Sequence, residues 1–151
     1  MLKGIDPLLN GELLKVLDEM GHGDQLLLVD RNYPAASSGR PVIRLGDVGV
    51  ERALSAILSV FPLDDFVAHP VERMEAQDDP AFVPAVQERV LALAARHHGA
   101  PLDAGVVQRL DFYERATKVY AVVHTLEAEP YGCFILQKGV VFPEGTGEDG
   151  R

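Results

Sequence analysis

Asn10-Gly11-Glu12-Leu13-Leu14-Lys15-Val16-Leu17-Asp18-Glu19-Met20-Gly21-His22-Gly23-Asp24-Gln25-Leu26-Leu27-Leu28-Val29-Asp30 is the stretch that decides the fold. Leu13, Leu14, Leu17 and Met20 fall three or four apart and make one apolar stripe, so a helix is expected from Glu12 to Met20, capped by Asn10. Gly21 ends it as a C-terminal cap would. After the polar turn His22-Gly23-Asp24, the run Leu26-Leu27-Leu28-Val29 shows no alternation of apolar and polar residues. That pattern belongs to a strand covered on both faces, and it stops at Asp30.

Working outward, Arg31 to Pro41 holds Asn, Pro, Ser and Gly and reads as a long loop, of a length that tends to be functional when ordered. Val42-Ile43-Arg44 suits a brief strand. Ala53, Leu54, Ile57, Leu58 and Phe61 give helical spacing over Val50 to Phe61, closed by Pro62. A further amphipathic helix is expected from about Pro80 to His98, stopped by Gly99 and Pro101. Then come Val106 to Arg109, a segment at Phe112 to Thr117, Val119 to Thr125 and Cys133 to Gln137, two of them strand-like in their β-branched and aromatic content. Strands alternating with helices predict an α/β fold: one domain over residues 1–142 whose sheet is at least partly parallel and covered by helices. The acidic, glycine-rich tail Pro143 to Arg151 is expected to fray.

Composition narrows the function classes. The 151 residues suit one domain, and 47% hydrophobic with 25% charged residues is ordinary for a soluble globular protein. The net charge of -9, from 14 basic against 23 acidic residues, repels polyphosphates and anionic bilayers. Nucleic acid and membranes are therefore not expected as partners, whereas a neutral ligand such as a sugar meets no penalty. Cys133 is the single cysteine, which rules out an intrachain disulfide and suits a reducing cytoplasm. The N-terminus lacks an apolar run of signal-peptide length, and no run approaches a membrane span.

Several residues invite a chemical reading. His22 lies between two glycines just past a helix end, where the backbone can approach a ligand closely. Imidazole carries a proton in either direction near neutral pH, although a histidine in such a place also serves as a helix cap. Asp30 stands at the end of the buried strand, where ligands of open α/β sheets gather. Its carboxylate suits vicinal hydroxyls, and equally an Asx turn opening the loop. Arg109 and Tyr113 would share a helix face at i, i+4, while Glu114 and Arg115 suit a solvated face of ion pairs. Tyr131, between Pro130 and Gly132, presents a ring on a turn that could stack on a sugar or cover the core. His97 and His98 diverge on a helix and His69 and His124 lack partners at useful spacing, so no metal site is signalled. No complete dinucleotide, P-loop or nucleophile-elbow motif is present, and no cofactor is expected.

Taken in order, Leu13 to Asp24 with Met20-Gly21-His22-Gly23-Asp24, then Asp30, Phe112-Tyr113-Glu114-Arg115-Ala116, Tyr131-Gly132 and Lys138-Gly139-Val140 resemble the L-fucose mutarotase and D-ribose pyranase family over about residues 1–142. The fucose branch is the more similar, because the pyranase branch usually has histidine where this chain has Arg109 and lacks the Phe-Tyr-Glu-Arg-Ala phrase. The resemblance implies a proton-transferring His22, an active-site Tyr113, and sugar contacts at Asp30, Arg109, Tyr131, Gly132 and the position of Cys133. It also implies cofactor-free interconversion of sugar anomers in a homo-oligomer, a ring-stacked decamer. One departure stands out: the family commonly has Asn where this chain has Cys133, and a thiol cannot offer an amide's paired donor and acceptor. Eight residue steps from His22 to Asp30 correspond to roughly 26 Å along a continuous strand, too far to grip one monosaccharide, so either the chain folds back or two subunits share the site. The shared site, which agrees with the decamer that the resemblance implies, is the expectation. A ribose pyranose–furanose isomerase and a non-catalytic sugar-binding or assembly protein of the same fold are the competing readings.

Overall fold

The computed structural model describes residues 1–144; residues 145–151, most of the tail expected to fray, lie outside the described residues. Asn10 caps α1 (Gly11–Glu19) as its side chain accepts from the Leu13 N–H at 2.9 Å. The helix stops at Met20, one residue before the expected glycine, and the Asp24 carboxylate closes the next turn by accepting from the Gly21 N–H at 2.7 Å. Lys138 satisfies the helix end by donating to the carbonyls of Leu17 and Met20, a cation placed at the negative pole of the helix.

The apolar run forms β1 (Gln25–Val29) at the middle of a mixed sheet. The other strands are β2 (Val42–Arg44), β3 (Val71–Met74), β4 (Gly105–Val107), β5 (Ala121–His124) and β6 (Phe134–Gln137). Their spatial order is β2-β5-β1-β6-β3-β4. β1 runs parallel to β5, β2 to β5 and β3 to β4, while β6 runs antiparallel to both β1 and β3. The strands other than β6 therefore point the same way, and their carboxyl ends share one edge with the start of β6.

The missing alternation in β1 has the expected cause. Leu26 and Leu28 pack with Leu13, Leu17, Leu54, Ile57, Val86 and Val90, so α1, α2 (Val50–Leu58) and α3 (Ala85–His98) cover that face. Leu27 and Val29 pack with Tyr33, Phe112, Ala116 and Ile135, under α4 (Arg109–Ala116). Each leucine so buried contributes about 1.5–3 kcal/mol.

Two local expectations change, and one strand had none. β3 carries no strand signal, since Val71-Glu72-Arg73-Met74 is half charged; its charges are matched only at long range. Arg73 is buried and donates to Gln87 Oε1 at 3.1 Å and to the Pro80 and Phe82 carbonyls at 2.7 and 3.2 Å. Those same bonds hold Pro80 to Phe82 outside the helix, and α3 starts at Ala85, after Pro84, instead of at Pro80. α2 ends at Leu58 and leaves Ser59 to Phe61 as a turn.

Candidate functional site

At the shared carboxyl edge, Asp30 follows β1, Met74 ends β3, Arg109 opens α4 after β4, and Cys133 precedes β6. A cavity of about 140 Å³ lies between them, lined by Asp30, Tyr33, Arg109, Tyr113, Tyr131 and Cys133, with Asn32, Met74 and Pro130. The expected contact residues other than His22 and Gly132 thus line one hollow, and Gly132 sits beside it.

Asp30 forms the Asx turn considered for it and also borders the cavity. It is 4% exposed, and Oδ1 accepts from the Asn32 N–H at 3.0 Å in an Asx turn while Oδ2 accepts from the Cys133 thiol at 3.4 Å. Burial, and then the Asp30 charge, push the Cys133 thiol well above its ordinary pKa, so it stays protonated and donates. Tyr131 occupies the left-handed region at φ 64°, an uncommon conformation for a residue with a side chain. It is held there by the buried Gln87 amide, which donates to the Tyr131 carbonyl at 2.9 Å and to the Met74 carbonyl at 2.7 Å. A Cβ on Gly132 would approach Glu127 Cγ to 3.1 Å and Asp30 Cβ to 3.5 Å, so glycine lets this loop lie against Asp30.

Gln108 caps α4 by accepting from Leu110 and Asp111 N–H groups, and this sets Arg109 and Tyr113 on the cavity side as the i, i+4 spacing implies. Arg109 is exposed at the mouth and, among the described residues, its guanidinium has no partner. The Tyr113 ring lies 5.5 Å from that of Tyr33, whose phenol burial pushes far above its usual range. Glu114 is exposed beside Lys118 as expected. Arg115 is not on that solvated face; it is partly buried and forks onto Glu72 at 2.9 and 2.5 Å.

His22 is at the other end of β1. Lys138, not His22, closes α1, so the helix-cap reading does not hold. The imidazole is half exposed, its Nε2 lies 3.2 Å from Asp64 Oδ1, and its ring sits 5.5 Å from Phe66. Asp64 is 1% exposed and also accepts from the Phe66 N–H at 3.0 Å and the Gln137 amide at 2.9 Å. Burial raises its pKa, but the bonds from Phe66, Gln137 and His22 outweigh burial and hold it below the ordinary carboxylate range. A depressed folded value means stability that is present above the unfolded pKa of about 3.9 and lost as pH falls through the lower folded value. Asp64→Asn should therefore flatten the acid limb of the stability curve below about pH 4, read by urea unfolding at a series of pH values.

Within one chain His22 and Asp30 stand at opposite ends of β1, whose five residues span about 17 Å. Tyr33, Asp64 and Gln87 belong to the two ends and went unnoticed in the sequence. Gln87 had a signal, being a polar residue between Val83 and Val90 on the apolar side of a helix; Asp64 in Leu63-Asp64-Asp65-Phe66 had none. Among the described residues no group of three or more His, Cys, Asp or Glu is placed to hold a metal ion, and no helix is long and apolar enough to cross a membrane.

Comparison with known proteins gives concordant results. The RbsD / FucU transport protein family model matches residues 3–141. An L-fucose mutarotase of Glaesserella parasuis is 46% identical over 141 residues, covering 93% of this chain and 96% of its own. The crystal structure of FucU from Bifidobacterium longum superposes with a TM-score of 0.86 at 41% identity, covering 93% of this chain and 100% of its own. The fucose mutarotase of Streptococcus pneumoniae in complex with L-fucose gives 0.84 at 37% identity with the same coverage.

Proposed function

The chain belongs to the RbsD/FucU family, and from that membership we propose that it is a monosaccharide mutarotase interconverting the α and β anomers of L-fucose without a cofactor. The observation that carries this reading is the small cavity in which one carboxylate, one free guanidinium and the rings of Tyr113 and Tyr131 converge. Its volume of about 140 Å³ is below the ~300 Å³ at which sites for drug-sized ligands begin, and it suits one sugar ring.

In the proposed reaction the C1 hydroxyl loses its proton, the ring oxygen gains one, and the bond between C1 and the ring oxygen breaks to give the open aldehyde. Rotation about the C1–C2 bond and closure on the other face of C1 returns both protons and yields the other anomer. Asp30 accepts from sugar hydroxyls, Arg109 donates to them, and Tyr131 with Gly132 borders the ring. His22, oriented by Asp64, supplies the proton to the ring oxygen; Tyr113 or a water takes the one from C1.

Because His22 and the Asp30 cavity stand at opposite ends of β1, the complete site in this proposal joins the cavity of one subunit to the His22 edge of another, in a homo-oligomer, the decamer that the family resemblance implies. A buried lone thiol agrees with work in the cytoplasm.

Saturation-transfer NMR on L-fucose, D-ribose and D-galactose tests the reading. Exchange between fucose anomers above the uncatalysed rate is expected, and absence of exchange on all three would leave only sugar binding. Cys133→Ala removes the donor to Asp30 Oδ2 and should raise KM for L-fucose about three- to tenfold with kcat unchanged, the scale of one hydrogen bond. A lowered kcat at constant KM would contradict that role.

A further inference from the structure

Gln25 and Gln137 face each other in the antiparallel β1–β6 pair, on the side of the sheet covered by α4. Their amides join end to end: Gln25 Nε2 donates to Gln137 Oε1 at 3.1 Å. Beyond Gln25, its Oε1 accepts from Arg115 at 3.5 Å, and Arg115 is itself clamped by Glu72. Beyond Gln137, its Nε2 donates to Asp64 Oδ2 at 2.9 Å, and Asp64 Oδ1 meets His22 Nε2 at 3.2 Å.

A guanidinium can only donate and a carboxylate can only accept. Arg115 at one end and Asp64 at the other therefore allow each amide a single orientation. Turning Gln137 over would face its carbonyl to Asp64, and turning Gln25 over would face its NH₂ to Arg115; either change breaks two bonds. The row is thus a directed chain from a cation to an anion. It fixes Asp64, which is left able to accept from His22 Nε2–H, while among the described residues Nδ1 has no hydrogen-bond partner.

We propose that Gln137, backed by Gln25 and Arg115, is a positioning residue that sets the tautomer and orientation of His22 through Asp64, and that the chain ties α4, which carries Arg109 and Tyr113, to the proton-transfer end of the same subunit. The proposal rests on the mutarotase reading for its consequence in catalysis, not for the chain itself. The family resemblance singled out neither glutamine.

Two readouts separate the proposal from the function it serves. First, ¹⁵N shifts of the His22 imidazole in the full-length protein report its tautomer. Gln137→Leu, and Gln25→Leu as the second variant, should lower the Nε2-protonated fraction relative to the unmodified chain. Second, in L-fucose exchange Gln137→Leu should lower kcat three- to tenfold with KM unchanged, and should cost nothing more in an Asp64→Asn background, since residues acting through one another are not additive. Unchanged His22 ¹⁵N shifts in both glutamine variants would overturn the proposal, as would additive losses in the double variant. A wild-type protein without exchange activity would defeat the mutarotase reading while the tautomer measurement still decided the chain.

Discussion

Replacing His22 with alanine is expected to lower catalysed exchange of L-fucose anomers by about 10²–10⁴-fold, the range supplied by a positioned general acid or base. The imidazole is half exposed and meets Asp64 and Phe66, so its loss should leave the fold intact. Its loss should appear in kcat, while the contacts proposed for Asp30, Arg109 and Tyr131 at the cavity are untouched and KM changes little. Asp64→Asn should fall in the same direction by less, because the amide can still meet the ring but no longer stabilises the imidazolium that donates the proton. Full activity in His22→Ala would remove this residue from the reaction and shift the proton transfer to the tyrosines.

Gly139→Ala should be strongly destabilising. A Cβ at Gly139 would lie 2.3 Å from the Leu63 carbonyl oxygen and 2.8 Å from Asp64 Cα, both backbone atoms that cannot rotate aside. The same strands are pinned by Gly139 N–H to Pro62 O at 2.9 Å and Asp64 N–H to Gln137 O at 3.1 Å. Relief requires moving the segment that carries Asp64. Overpacking of this kind costs about 1–3 kcal/mol, a sizeable share of the roughly 5–15 kcal/mol that holds a domain folded. The urea midpoint should drop, and the folded fraction should exchange fucose more slowly because Asp64 has left His22. An unchanged midpoint would mean that the two segments separate freely.

What the sequence disclosed and withheld follows from the range of each interaction. β1 and α1 were legible because their signals are local: a leucine stripe, an asparagine cap and an unbroken apolar run. Arg109 and Tyr113 were legible as a pair because helical spacing alone puts them together, and the cavity contains both. β3 was hidden because Glu72 and Arg73 look solvated until Arg115 and Gln87 arrive from elsewhere in the chain. Arg115 was misread for the same reason, its partner lying 43 residues away. Asp64 was invisible for want of any local pattern, although it holds the histidine that the sequence singled out first. The distance argument fared better: counting steps along one strand separated His22 from Asp30, and the structure keeps them at opposite ends of β1.

The central claim is that a fucose mutarotase site forms only where the Asp30 cavity of one subunit meets the His22 edge of another. Mixing His22→Ala chains with Asp30→Ala chains, by unfolding and refolding them together, tests it most directly. Each variant alone should be nearly silent in anomer exchange. The mixed assembly should regain a measurable part of the wild-type rate, since some of its sites unite an intact His22 with an intact Asp30 from different chains. Mixed assemblies that form, as shown by differential tagging, yet stay as silent as either parent would contradict the account.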